Sequence, residues 1–162
     1  KVAFATAQYI QNNNQNHNIQ PLRGVIVENT FTSIPAMVDA LMPLVAKFKR
    51  LILSIAFDSL AIVSDLTCPV LYLAGNNDEI VPHSQMLTLH RVTVNTPMNR
   101  LHVINRGTHN ESWSQGGQVY WDAVESFIAG ALSITNNDDR STRTTFSSET
   151  AQTTTANFKK EL

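Results

Sequence analysis

One cysteine, Cys68, is all that the 162 residues contain, so no internal disulfide can staple the chain. It precedes Pro69 and an apolar run, where a small buried thiol is expected. A single thiol does not identify a redox compartment. Charge of one sign is lacking too. Twelve Lys and Arg against 13 Asp and Glu leave a formal net charge of -1, which removes the electrostatic case for nucleic acid or an anionic membrane surface. No run reaches the roughly 20 apolar residues of a transmembrane helix. No signal-peptide pattern of charged, apolar and small-residue regions follows the first residue. None of the 5 histidines has a partner at His-x-x-x-His spacing, so no metal site is expected, nor any cofactor. No internal repeat is present.

What is present suits one globular domain with a core of its own: hydrophobic residues make up 43% and charged residues 15%. The chain begins at Lys1 rather than Met, inside the apolar stretch Val2-Ala3-Phe4-Ala5. That start leads us to expect a piece of a longer protein, whose remainder would hold any targeting or membrane segment.

Residues 2 to 11 read as a helix, with Val2, Ala3, Ala5, Thr6, Tyr9 and Ile10 as an apolar stripe. The Asn/Gln-rich stretch to Gln20 reads as a loop. Gly24 to Glu28 is a short β-branched run suited to a strand buried on both faces. Ser33 is positioned as the N-cap of a helix over 34 to 42, with Pro35 in its first turn. Residues 44 to 62, apolar with Lys47, Lys49 and Arg50 interspersed, read as one or two short helices. Pro69 to Gly75 is a second strand and Arg100 to Ile104 a third. Helices are expected over about 84 to 92 and over 118 to 129, the latter with Tyr120, Trp121, Val124, Phe127 and Ile128 on its apolar side. Strands alternating with helices predict an α/β fold, a mostly parallel sheet with helices on both faces. From Ser133 the chain is dominated by Thr, Ser and Asn and cannot repay the entropy of ordering. Residues 1–132 are therefore expected to form the domain and 133–162 a disordered tail.

In open parallel sheets, functional groups gather on loops at the carboxyl ends of strands. Asp78 follows the strand ending at Gly75, and His109 follows the strand ending near Ile104. An acid and then a histidine after successive strands is the order of a Ser…Asp…His triad. In such a triad the imidazole takes the serine proton, while the carboxylate fixes its tautomer and stabilises the imidazolium. Two blander roles stay open at this point. Asp78 in Asn76-Asn77-Asp78 can bond its own backbone in a turn, and His109 after Gly107 can be a solvent-exposed loop residue.

Three segments occur in order: Glu28-Asn29-Thr30-Phe31-Thr32-Ser33-Ile34, Gly75-Asn76-Asn77-Asp78-Glu79-Ile80-Val81-Pro82-His83 and Gly107-Thr108-His109-Asn110. Together they resemble the α/β-hydrolase domain-containing protein 13-like group of serine hydrolases. Trp113, Gly116-Gly117 and Tyr120-Trp121 extend the likeness, which covers roughly residues 1 to 130. The resemblance implies the C-terminal half of an α/β-hydrolase fold. It also implies triad roles for Asp78 and His109 and hydrolysis of a small acyl or peptide-like substrate: an ester, thioester or amide. Glu79, Pro82 and Asn110 match as well and are read as shaping the loops.

One departure from that family is plain: no Gly-x-Ser-x-Gly occurs in these 162 residues. The nucleophile and the oxyanion-hole N–H after it are expected on a preceding segment, just upstream if the helix at Val2 to Ile10 follows the nucleophile turn. Ser33, Ser59, Ser84 and Ser112 sit in no such elbow. The competing expectation is a non-catalytic or degenerate member that uses the scaffold for binding. Relatives of this kind often carry an N-terminal membrane anchor, which would associate the full protein with a membrane. Leu51, Ile52, Leu53, Ile55 and Phe57 have two readings, as an apolar acyl site in a cap or as ordinary helix packing. Lys159-Lys160-Glu161-Leu162 is close to a Lys-Asp-Glu-Leu retrieval signal, which reads either as an endoplasmic-reticulum address or as a chance ending. Asn110-Glu111-Ser112 is a formal glycosylation acceptor and is read as coincidence, because a glycan there would crowd His109.

Overall fold

A computed structural model describes residues 2–14, 21–33 and 59–134. The expected helix over 34–42, most of the stretch over 44–62 with its acyl-site residues, and the tail beyond 134 with its C-terminal tetrapeptide lie outside these residues.

The elements alternate. They are α1 (Val2–Asn12) and β1 (Val25–Glu28), then α2 (Ser59–Val63) and β2 (Val70–Gly75), then α3 (His83–Val92) and β3 (Asn99–Ile104). A short α4 (Ser112–Gln115) follows, and a long helix α5 runs over 117–134. The three strands form one sheet in the order β1-β2-β3. Both pairings are parallel, with Val25 opposite Val70 and Val70 opposite Asn99. All three carboxyl ends therefore point the same way, and the loops that leave them share one edge.

β2 is the central strand, and its sequence explains why. The run Val70-Leu71-Tyr72-Leu73-Ala74-Gly75 has no polar position to turn toward water, and every residue in it is buried. Side chains alternate between two cores. Val70, Tyr72 and Ala74 pack with Phe4, Ala7, Val63, Leu66, Met86 and Leu89 on one face. Leu71 and Leu73 pack with Ile104, Tyr120 and Phe127 on the other. Helices thus cover both faces of the sheet. Each fully buried leucine contributes about 1.5–3 kcal/mol. The Tyr72 hydroxyl, which burial would otherwise penalise, lies 2.6 Å from Thr93 Oγ1.

Three details depart from expectation. The helix α1 buries Phe4 and Ala7, whereas Val2 is 79% and Tyr9 63% exposed. Its sequence is apolar nearly all round, so periodicity selects no face. Phe4, the larger of the two buried side chains, takes the place beside Tyr72, with ring centroids 6.3 Å apart. On the same face Gln11 accepts from the Thr67 N–H at 2.8 Å and donates to the Asp65 carbonyl at 2.9 Å. Along α5, Tyr120, Phe127 and Ala131 are buried while Trp121 and Ile128 face outward. A helix of this length touches the sheet along a stripe narrower than its apolar arc. In β1, Val25 and Val27 are buried but Ile26 is 38% exposed. Among the described residues β1 is an edge strand, and its Ile26 face is only partly covered.

Candidate active site

The loop between β2 and α3 is built around Asp78. Its Oδ1 accepts the backbone N–H groups of Ile80 at 2.8 Å and Val81 at 2.7 Å, an Asx turn. Pro82, with φ -52°, then starts α3. The second carboxylate oxygen is left over from the turn, and Oδ2 lies 2.9 Å from His109 Nδ1. The turn role and the histidine contact are therefore not alternatives. One carboxylate serves both. Its side chain is 1% exposed, against 26% for the imidazole, so the acid is shielded from water and the ring reaches it.

The loop between β3 and α4 carries His109, and its backbone is tied on both sides. The His109 N–H donates to Glu79 Oε2 at 3.2 Å. Its carbonyl accepts from Asn29 Nδ2 at 3.0 Å. The preceding residue, Thr108, donates its N–H to Gln115 Oε1 at 2.7 Å. The two loops are also joined directly. The Asn77 N–H bonds the Gly107 carbonyl at 3.0 Å, and the Arg106 N–H bonds Asn76 Oδ1 at 2.6 Å. Arg106 has a φ of 60° at the turn out of β3.

Two glycines permit this closeness. A Cβ on Gly75 would stand 2.4 Å from the Gly107 carbonyl oxygen and 2.6 Å from Ser112 Oγ. One on Gly107 would stand 2.7 Å from the same hydroxyl. No larger residue fits either position without moving backbone.

Asp78 and His109 are thus brought together. Glu79, read from the sequence as shaping its own loop, reaches the backbone of the His109 loop, and Pro82 leads into α3. Asn110 is exposed, and its carbonyl accepts from Trp113 Nε1 at 3.2 Å. Of the serines, Ser112 is fully buried and donates to the Thr108 carbonyl at 2.6 Å. Ser59 is buried at the first position of α2. Asn29 stands in the first of the three segments, but no role is read for it from the sequence. A polar residue directly after a buried strand was the available signal, since Asn is one of the few residues at ease with positive φ. Tyr120, placed by the sequence on the apolar side of its helix, is buried but makes a polar contact that the sequence did not reveal. Its hydroxyl donates to Glu28 Oε2 at 2.9 Å at the end of β1, and its pKa is pushed up to about 12, chiefly by burial and then by that carboxylate.

Among the described residues no group of three or more His, Cys, Asp or Glu is placed to hold a metal ion. No described helix is long and apolar enough to cross a membrane.

No family model matches the chain. It is 27% identical over 124 residues to alpha/beta hydrolase domain-containing protein WAV2 of Arabidopsis thaliana, covering 69% of this chain and 40% of that protein. It is 32% identical over 116 residues to protein bem46 of Schizosaccharomyces pombe, covering 69% and 37%. A third relative, the uncharacterized membrane protein YNL320W of Saccharomyces cerevisiae, is 34% identical over 107 residues, covering 65% and 36%. The chain thus spans about 40% or less of the length of the curated relatives it matches. Among solved structures, a thermophilic esterase from Thermogutta terrifontis superposes with a TM-score of 0.51 at 18% identity, covering 80% of this chain and 61% of that one. A puromycin hydrolase superposes with a TM-score of 0.51 at 12% identity, covering 70% and 19%. At those identities the superpositions bear on fold alone, a parallel sheet with helices packed against it. Fold and relatives agree: the chain carries part of an α/β-hydrolase fold and is similar over 69% of its length to an α/β-hydrolase domain-containing protein.

Proposed function

We propose that Asp78 and His109 are the acid and the base of a serine hydrolase that cleaves an ester, thioester or amide in a small acyl or peptide-like substrate. The observation that carries this reading is the 2.9 Å contact between His109 Nδ1 and Asp78 Oδ2, made by a buried carboxylate on a partly exposed ring. With Nδ1 held by the acid, Nε2 is the nitrogen that takes a proton from the attacking hydroxyl. It then returns that proton to the leaving group. Asp78 keeps the proton on Nδ1 and stabilises the imidazolium as it forms. Without a Gly-x-Ser-x-Gly among these 162 residues, the serine belongs on a segment outside them. Membrane association is proposed on the same footing, through a segment outside these residues; one relative is itself named a membrane protein.

A fluorophosphonate probe applied to the full-length protein tests the proposal. A single labelled serine is expected, lost on His109→Ala. If the protein takes no label and releases no acyl group from ester substrates, the non-catalytic reading replaces it.

A further inference from the structure

Asn29 sits where the loops from all three strands converge, and nothing in an acid–base pair by itself requires it. Its φ is 42°, and it is 4% exposed. Its own N–H extends the β1–β2 ladder to the Leu73 carbonyl at 3.0 Å. The side chain then reaches across the sheet edge. Oδ1 accepts the Gly75 N–H at 2.8 Å. Nδ2 lies 3.0 Å from the carbonyls of both Thr108 and His109, and 3.1 Å from Ser112 Oγ. One amide therefore ties the end of β1 to the end of β2, where the Asp78 loop begins, and to the backbone of His109 itself.

We propose that Asn29 is a positioning residue that sets the depth of the His109 loop against the Asp78 loop and so holds the imidazole in reach of both the acid and the substrate. The inference rests on the acid–base reading of Asp78 and His109. The chemistry of the amide fits the task. It offers an acceptor on one side and two protons on the other, and its partners at Gly75, Thr108 and His109 are a donor and two acceptors. An aspartate has the same shape but no donor, and would turn a carboxylate on two carbonyl oxygens in a buried site. Ser112 completes the arrangement by donating to the same Thr108 carbonyl at 2.6 Å. Glu79 holds the N–H of the same histidine whose carbonyl Asn29 holds. His109 is thereby fixed at three points: N–H, carbonyl and ring Nδ1.

Two substitutions separate this role from a purely structural one. Asn29→Gly keeps the positive φ at little cost and removes the side-chain ties, while Asn29→Asp keeps the shape and removes only the donors. In the full-length protein both are expected to lower kcat, by about 100-fold for a displacement near 1 Å, while KM holds. In the same full-length protein, the downfield proton resonance of the His109 Nδ1–H is expected to broaden or vanish in both variants, with the far-ultraviolet circular dichroism retained. If Asn29→Asp unfolds the chain, Asn29→Gly alone decides. Unchanged kcat and an unchanged imidazole resonance in Asn29→Gly would overturn the proposal. A protein whose hydrolysis survives Asp78→Asn and His109→Ala instead overturns the acid–base reading. The imidazole resonance still shows whether Asn29 positions the ring.

Discussion

Asp78 Oδ2 meets His109 Nδ1 at 2.9 Å across 31 positions of sequence, while Oδ1 of the same carboxylate closes the Ile80–Val81 turn. The two turn bonds hold the carboxylate independently of the histidine, so its orientation does not rest on the ring contact alone. Such preorganisation is what a base needs from its partner: orientation set in advance rather than found during reaction.

That division of labour separates two substitutions at Asp78. Asn retains an oxygen for the Ile80 and Val81 N–H groups but presents an amide to Nδ1, favouring the wrong tautomer. Asp78→Asn is expected to melt close to the parent and to lower kcat of the full-length protein by about 10⁴-fold. Asp78→Ala also loses the turn and is expected to cost a further 1–3 kcal/mol or so in stability. Parallel melts and hydrolysis assays check both, and an active Asp78→Asn would remove the acid role.

Gly75→Ala tests the close approach of the two loops. Its Cβ would collide with the Gly107 carbonyl oxygen at 2.4 Å, which is backbone and cannot swing aside. A loss of about 1–3 kcal/mol is expected from overpacking. At Gly24 the nearest atoms are the Phe127 ring edge at 3.2 Å and the Pro69 carbonyl at 3.3 Å, contacts that need only a few tenths of an ångström of give. Urea unfolding should rank Gly75→Ala well below Gly24→Ala in stability, and equal losses would refute the clash.

Alkaline pH should destabilise the chain in a defined window. Burial lifts Tyr72 from its ordinary value near 10 to about 12, although the Thr93 hydrogen bond pulls the other way. Burial, with Glu28, does the same for Tyr120. Below pH 10 both states hold these protons, and the contribution is complete. Above it the unfolded chain ionises first and binds fewer protons than the folded one, so stability falls until about pH 12. Unfolding free energies measured across that window should decline less steeply in the double variant Tyr72→Phe/Tyr120→Phe.

Cys68 is 8% exposed, and burial raises its thiol pKa, which lowers the thiolate fraction available to react. Ellman's reagent at neutral pH is expected to modify it only as fast as the chain opens, and at once in denaturant. Rapid, stoichiometric reaction of the native chain would contradict the burial.

Much of this was legible in the residues. The continuous apolar run of β2, the turn chemistry of Asn76-Asn77-Asp78 and the alternation of strand and helix act over a few neighbouring positions. A sequence displays such signals directly. They place Asp78 and His109 after successive strands with no reference to anything distant. The two roles weighed for Asp78 could not be resolved that way, because each oxygen answers to a different part of the chain.

By itself, then, the sequence determined the three strands, their order, and the strand ends from which Asp78 and His109 depart, though not the short helix α4. Only the tertiary structure decided that Phe4 rather than Tyr9 faces the core, that Trp121 and Ile128 turn outward, and that Asn29 grips the His109 carbonyl 80 positions away. The physical reason is common to all three. A helix face or a side-chain amide is selected by what packs or bonds against it, and those partners are assembled by the fold.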